Sequence, residues 1–201
     1  SDRNLRFLLY EVNDVESLLK YPRFADHSRE VFDMILDTAM RMGKDLFKPL
    51  FEEMDRKAPE YVGGEVKVHP KVREIMRAAG DGGWIASTFP YELGGQQMPF
   101  TVGVMLPTAI FGAANYSAAV YHGLTHGAAG LIASYGTQEM KDTYLPKMTA
   151  GEWQGTMALT EPQAGSSLTD LTTTATPTDQ GYYKIKGQKL FISAGDHDGC
   201  D

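Results

Sequence analysis

The sequence predicts an α+β protein: an all-helical domain over residues 1–152, then antiparallel strands over residues 153–201. Three observations carry that reading. Apolar residues between positions 31 and 54 recur at three- and four-residue spacing, which draws one wide stripe along a helix. Residues 93–138 contain no Asp, Glu, Lys or Arg, as helices buried on most sides do. After Gly151 the apolar period shortens to two, and turn residues punctuate it. Helices first and strands second, without alternation, speak against a doubly wound nucleotide-binding sheet.

The elements follow in order. Residues 5–19 form a short amphipathic piece that Pro22 ends. Val31, Phe32, Ile35, Leu36, Ala39, Met40, Gly43, Leu46, Phe47, Leu50, Phe51 and Met54 mark the clearest helix, which Pro49 should kink or divide. Residues 55–67 are polar and Gly-containing and read as a loop. Pro70 opens the next helix at its first position. Val72, Ile75, Met76 and Ala79 are its apolar face, and the glycines of residues 80–83 stop it. Residues 87–99 are turn-rich. Two largely apolar helices, 100–115 and 117–135, come next; Gly136 ends the second, and Thr137 starts a short one. Strands are predicted over 153–160, 171–176, 182–185 and 189–193, with Asp179-Gln180-Gly181 as a hairpin turn.

At 201 residues, 42% of them hydrophobic and 22% charged, the chain can bury a sizeable core. Its net charge of -7 argues against nucleic-acid binding, which phosphate neutralisation drives. Pro99, Pro107, Asn115, His122 and His126 interrupt the uncharged stretch, so buried helices fit it better than a transmembrane segment. The one cysteine, Cys200, makes no internal disulfide, and no secretion pattern opens the chain. A cytoplasmic location is therefore expected.

The most informative stretch is residues 157–166, MALTEPQAGS, with its companion at 189–195, KLFISAG. Two apolar runs that end on hydroxyl residues, beside an Ala-Gly-Ser turn, suit a flat cofactor with a polar edge. Taken singly, each residue has a plainer role: Thr160 and Ser193 as solvated hydroxyls, Phe191 as a core aromatic, Gly165-Ser166 as a turn. His122 and His126 lie four apart on one helix face, where a packed pair is expected before a metal site. Asp196, His197, Asp198, Cys200 and Asp201 crowd a chain end expected to be mobile.

A longer series sharpens this. Residues 135–141 (YGTQEMK), Tyr144-Leu145-Pro146, Gly151-Glu152, residues 158–162 (ALTEP), Ala164-Gly165-Ser166, Gly187-Gln188-Lys189, Phe191-Ile192-Ser193 and Ala194-Gly195 occur in order. Together they resemble the acyl-CoA dehydrogenase family. The SAGDHD ending and long N-terminal segment resemble its larger members, the long-chain and methylthiopropanoyl-CoA dehydrogenases. The resemblance implies a helical domain, a middle β-barrel-like domain and a C-terminal four-helix domain. This chain would hold the first and the opening strands of the second, truncated before the third.

The resemblance also implies FAD and the α,β-desaturation of an acyl-CoA thioester. A carboxylate base takes the α proton, a hydride leaves the β carbon for the flavin, and hydrogen-bond donors steady the enolate. The implied partners are the acyl-CoA substrate, an electron-transfer flavoprotein, and further copies of the chain in a homo-oligomer, dimer or tetramer. Met157, Leu159 and Thr160 would lie along the flavin, and Gly165 would let the chain come close to it. Ser166 would donate to a phosphate and touch the CoA moiety. Phe191 stands where the family often has Trp, and Ser193 where it usually has Thr, near the reactive edge.

There are departures from the family pattern. Ser167 replaces a usual Asp, a loss expected either to loosen the turn or to alter a hydrogen bond, and Gln163 replaces a frequent Gly or Asp. No catalytic residue is implied among these 201, since the family's base lies in the C-terminal helical domain. Glu161 is expected to serve the turn. The chain alone is expected to be inactive and to hold FAD weakly. Two alternatives stand beside the dehydrogenase: a flavin-containing relative with a binding or protective role, and an acyl-CoA oxidase.

Overall fold

The computed structural model describes residues 1–200. Its helical part is built around α2 (Arg29–Met42), α4 (Lys71–Asp81) and α5 (Leu106–Tyr135). A short α1 (Asp2–Arg6) and α3 (Phe51–Arg56) lie on its flanks, and α6 (Gln138–Thr149) packs along α5.

The first amphipathic piece is divided rather than continuous. α1 passes into a π-helical stretch, Phe7–Val12, and then breaks where Asp14 takes a left-handed backbone (φ 42). A 3-10 helix, Val15–Lys20, follows. Arg6 and the Tyr10 hydroxyl both bond the Asp33 carboxylate, and Arg6 also reaches Asp37 at 2.6 Å, so this piece is tied to α2.

Ser28 caps α2 by accepting from the Val31 N–H, and Phe32, Ile35, Leu36 and Ala39 fill its buried face. Pro49 does divide the helix. The helix loosens to π geometry over Gly43–Phe47 and tightens to a 3-10 turn over Lys48–Leu50 before α3 resumes. That change of winding accommodates the missing N–H of proline.

Residues 55–67 depart from the expected loop. α3 runs to Arg56, and β1 (Glu60–Val62) pairs antiparallel with β2 (Glu65–Lys67) across Gly63-Gly64. Its alternation is too short and too exposed to show as a strand pattern in the sequence.

Val72, Ile75, Met76 and Ala79 of α4 are fully buried, as the spacing predicts. The two expected apolar helices are also present. α5 is interrupted at Asn115, whose backbone is non-helical (φ -166, ψ 95). The buried Asn115 side chain explains the break. Its Oδ1 accepts from the Ala118 N–H at 3.2 Å, capping the second half, while Nδ2 donates to the Phe47 carbonyl at 3.3 Å. One side chain thus joins the break in α5 to the change of winding after α2. The apolar helical stretch Thr101–Tyr135 is long enough to cross a membrane by length and composition, but half of its most apolar window is buried inside the fold.

Most of these helices share one core. A second, smaller cluster gathers Ala86, Phe89, Ala129, Leu145 and Met148, with Trp153 against it. Beyond α6 the described residues hold one more hairpin, β3 (Thr174–Pro177) with β4 (Tyr183–Lys186), turning at residues 179–181 as predicted. The strands expected over 153–160 and 189–193 do not form a ladder. Phe191 and Ala194 have left-handed backbones (φ 57 and 51), which take the second run out of extended geometry. The strand expected from residue 171 begins only at Thr174, because the Thr172 and Thr173 N–H groups bond a carboxylate instead of a neighbouring strand.

Candidate functional site

The two runs singled out in the sequence lie side by side. Trp153 anchors the entry: its ring sits under the Lys147 ammonium at 4.3 Å and beside Tyr144. Gly155 then brings the chain hard against the helices. A Cβ there would stand 2.4 Å from the Ala128 Cβ and 2.8 Å from the Met148 methyl, and its N–H donates to Thr125 Oγ1 at 3.3 Å.

From this anchor, residues 154–161 run antiparallel to 189–194, joined mostly by side chains. Gln154 Nε2 donates to the Ala194 carbonyl (3.2 Å), and Thr156 Oγ1 to the Ser193 carbonyl (2.5 Å). The Leu190 N–H donates to the Thr160 carbonyl (2.9 Å), and Lys189 Nζ to the Leu159 carbonyl (2.9 Å). The result is a ledge. Met157, Leu159 and Phe191 keep their side chains exposed on it, Phe191 to 83%. Ser193 is exposed and Thr160 half-buried. An exposed aromatic on a left-handed backbone costs about 1–2 kcal/mol of conformational energy and buries little in return. Gly165 and Ser166 follow a tight turn in which Glu161 and Ala164 exchange both backbone hydrogen bonds, and both are exposed.

Beneath the ledge lies a buried carboxylate. Glu161 accepts from the Thr172 N–H (2.7 Å) and hydroxyl (2.9 Å), the Thr173 N–H (3.0 Å), Gln163 Nε2 (2.8 Å) and Lys189 Nζ (2.9 Å). Bonds from Thr173, Thr172 and Lys189 hold its carboxyl well below the usual carboxylate range. A group so committed anchors a turn and is poorly suited to taking a proton. Gln163 also donates to Thr172 Oγ1 at 3.0 Å, so it braces the turn from which the expected Asp at position 167 is missing.

The histidine pair is packed. His122 lies edge-on to Phe47 and Phe111, and His126 Nδ1 donates to the Ile85 carbonyl at 2.9 Å while stacking on Phe89. The chain end is held as well. His197 bonds Gln154 and Asp198 bonds Val68, so the chain end makes contacts with the fold; Asp201 lies outside the described residues.

Residues 30–152 match the family model for the acyl-CoA dehydrogenase N-terminal domain. The chain belongs to the acyl-CoA dehydrogenase family. It is 34% identical over 201 residues to a butyryl-CoA dehydrogenase of Syntrophomonas wolfei, covering 98% of this chain and 33% of that one. It is 36% identical over 154 residues to the 3-methylmercaptopropionyl-CoA dehydrogenase of Ruegeria pomeroyi, covering 77% and 26%. The chain thus spans about a quarter to a third of the length of these curated relatives. The solved structure of an acyl-CoA dehydrogenase complexed with FAD from Bacillus anthracis superposes with a TM-score of 0.67 at 26% identity, over 87% of this chain and 28% of that one.

In this chain the pairing role of the polar residues that join the runs escaped the sequence reading. Gln154, Thr156 and His197 follow no apolar period. The available clue was their position, flanking two runs already suspected of pairing.

The Glu161 network makes a direct prediction. Glu161→Ala leaves the Thr172 and Thr173 N–H groups without their acceptor, and Lys189 with the Leu159 carbonyl alone. Amide exchange at Thr172 and Thr173 is expected to quicken by about tenfold or more. Unchanged protection would mean that something else holds the turn. Because the folded-state pKa is depressed, the carboxylate's contribution is complete above its ordinary value of 4.5 and is lost as pH falls below it.

Proposed function

We propose that this chain is the helical and flavin-contacting part of an FAD-dependent acyl-CoA dehydrogenase, with residues 1–152 as the helical domain and 153–201 as the opening of the next. The enzyme desaturates an acyl-CoA thioester and passes the electrons to an electron-transfer flavoprotein. The observation that carries the reading is the pairing of the Met157–Thr160 run with the Phe191–Ser193 run into one ledge. Membership of the family and the dehydrogenase relatives support it.

The residues present fit the cofactor. An isoalloxazine is flat and apolar on its faces and polar along one edge. The ledge offers exposed Met157, Leu159 and Phe191 for the faces, and the hydroxyls of Thr160 and Ser193 for the edge. Exposed Gly165 and Ser166 suit a phosphate, and Ser166 the CoA moiety as well. When bound, FAD supplies the acceptor for the hydride lost by the acyl chain. The chain's own residues orient and hold: Lys189 and Glu161 fix the base of the ledge, and Trp153 and Gly155 fix it to α5 and α6.

The exposed apolar residues Leu131 and Tyr135 of α5 support a homo-oligomer. The similarity to the Ruegeria enzyme supports the larger subgroup. The reducing environment suggested by a lone cysteine supports a cytoplasmic location.

The test has two arms. The purified 201-residue chain, offered acyl-CoA and an artificial electron acceptor, is expected to show no turnover, because the family resemblance implies no catalytic base among these residues and Glu161, the carboxylate at the ledge, is saturated with donors. Turnover would place a working base among these residues. The longer protein is expected to carry stoichiometric FAD that bleaches when acyl-CoA is added. A colourless, non-bleaching protein would refute the reading.

A further inference from the structure

Residues 194–200 are held to three parts of the fold at once. The Asp198 N–H donates to the Val66 carbonyl and Asp198 Oδ1 accepts from the Val68 N–H, both at 3.0 Å. The His197 ring packs edge-on to Tyr121 of α5, with centroids 5.1 Å apart. Its Nδ1 accepts from the Gly199 N–H at 2.9 Å. A nitrogen that accepts carries no proton, so in the neutral ring the proton sits on Nε2. Nε2 faces Gln154 Oε1 in a close contact. That orients the amide, turning the Gln154 NH2 group to the Ala194 carbonyl at 3.2 Å.

We infer that His197 is a positioning residue of the ledge. Through the relay Gly199–His197–Gln154–Ala194 it sets the separation between the run carrying Met157, Leu159 and Thr160 and the run carrying Phe191 and Ser193. This rests on the flavin reading above. The relay needs one acceptor and one donor on opposite edges of a single side chain. Imidazole supplies both; leucine supplies neither; glutamine supplies both through the two edges of its amide. Because a ligand held by two runs feels any change in their spacing, side chains that touch only the runs still tune its affinity.

The test uses His197→Leu, Gln154→Leu, the double variant and His197→Gln in the whole protein. Each leucine variant is expected to weaken FAD binding, read by flavin fluorescence, by about tenfold, the scale of one or two hydrogen bonds. The double variant should be no weaker than either single one, since both break one relay. His197→Gln should recover most of the loss, and nitrogen-15 NMR should find the proton on Nε2 of His197. Losses that multiply in the double variant, or a proton on Nδ1, would overturn the inference. If the wild-type protein took up no FAD, the flavin reading would fall by itself. The same cycle read by thermal unfolding would then decide the relay: coupled shifts support it and additive shifts refute it.

Discussion

Replacing Gly151 with alanine is expected to destabilise the protein by about 2–5 kcal/mol, the sum of left-handed strain of about 1–2 and overpacking of about 1–3. At this chain length that lowers the melting temperature by about 10 °C. The residue ends the turn after α6 with φ +68, and an added Cβ would stand 1.9 Å from the Met76 carbonyl oxygen. Met76 is fully buried on α4, so the obstacle is backbone in the core and cannot swing aside. Gly80 faces the same contact from the other side: a Cβ there would lie 2.2 Å from the Ala150 carbonyl carbon. Helix α4 and the end of α6 therefore meet backbone to backbone. Two controls separate the contributions. Gly64→Ala, with φ +94 and nothing within 4 Å, feels the strain alone, and Gly80→Ala feels the contact alone. Denaturant unfolding of the three variants checks this. If Gly151→Ala lost no more than Gly64→Ala, the close approach would not matter. The effect should reach the ledge, since Gly151 stands two residues before Trp153, which anchors the run to Thr160.

The same helices show why so much of the fold was legible in the sequence. α2 and α4 bury single apolar stripes, and a stripe is written directly in residue spacing. The interruption of α5 was legible too, because Asn115 is a polar residue whose side chain can bond the backbone in an otherwise apolar run. The strands were harder to read. Alternation says that a segment is extended; whether it joins a ladder depends on where its N–H groups find acceptors. For Thr172 and Thr173 the acceptor is a side chain eleven and twelve residues away, Glu161. For residues 189–193 the left-handed backbone at Phe191 settles the matter, and phenylalanine gives no hint of it. At the candidate site, the motif residues were visible as a family pattern. The Gln154–His197 relay was not, since it is a contact between residues 43 apart with no period to announce it.

Lowering the pH from 6.5 to 4 is expected to remove about 3 kcal/mol of stability through one residue, His122. The side chain is 7% exposed and lies edge-on to Phe47 and Phe111, and its Nδ1 is buried without a hydrogen-bond partner. Burial first, and then nearby His126, push its pKa from 6.5 down to about 4. Between those values the unfolded chain binds a proton that the folded chain refuses, so stability rises with pH across the window and is flat above it. His122→Phe removes the titrating group and the orphaned nitrogen while keeping a ring of similar shape between the two phenylalanines. At pH 5 the variant is expected to be more stable than the wild type by about 2 kcal/mol, and its unfolding free energy should change less between pH 5 and 7. Histidine proton NMR supplies the direct reading. The His122 resonance should stay unprotonated until the pH nears 4; a midpoint near 6.5 would show that the packing of Phe47 and Phe111 does not exclude the charged ring.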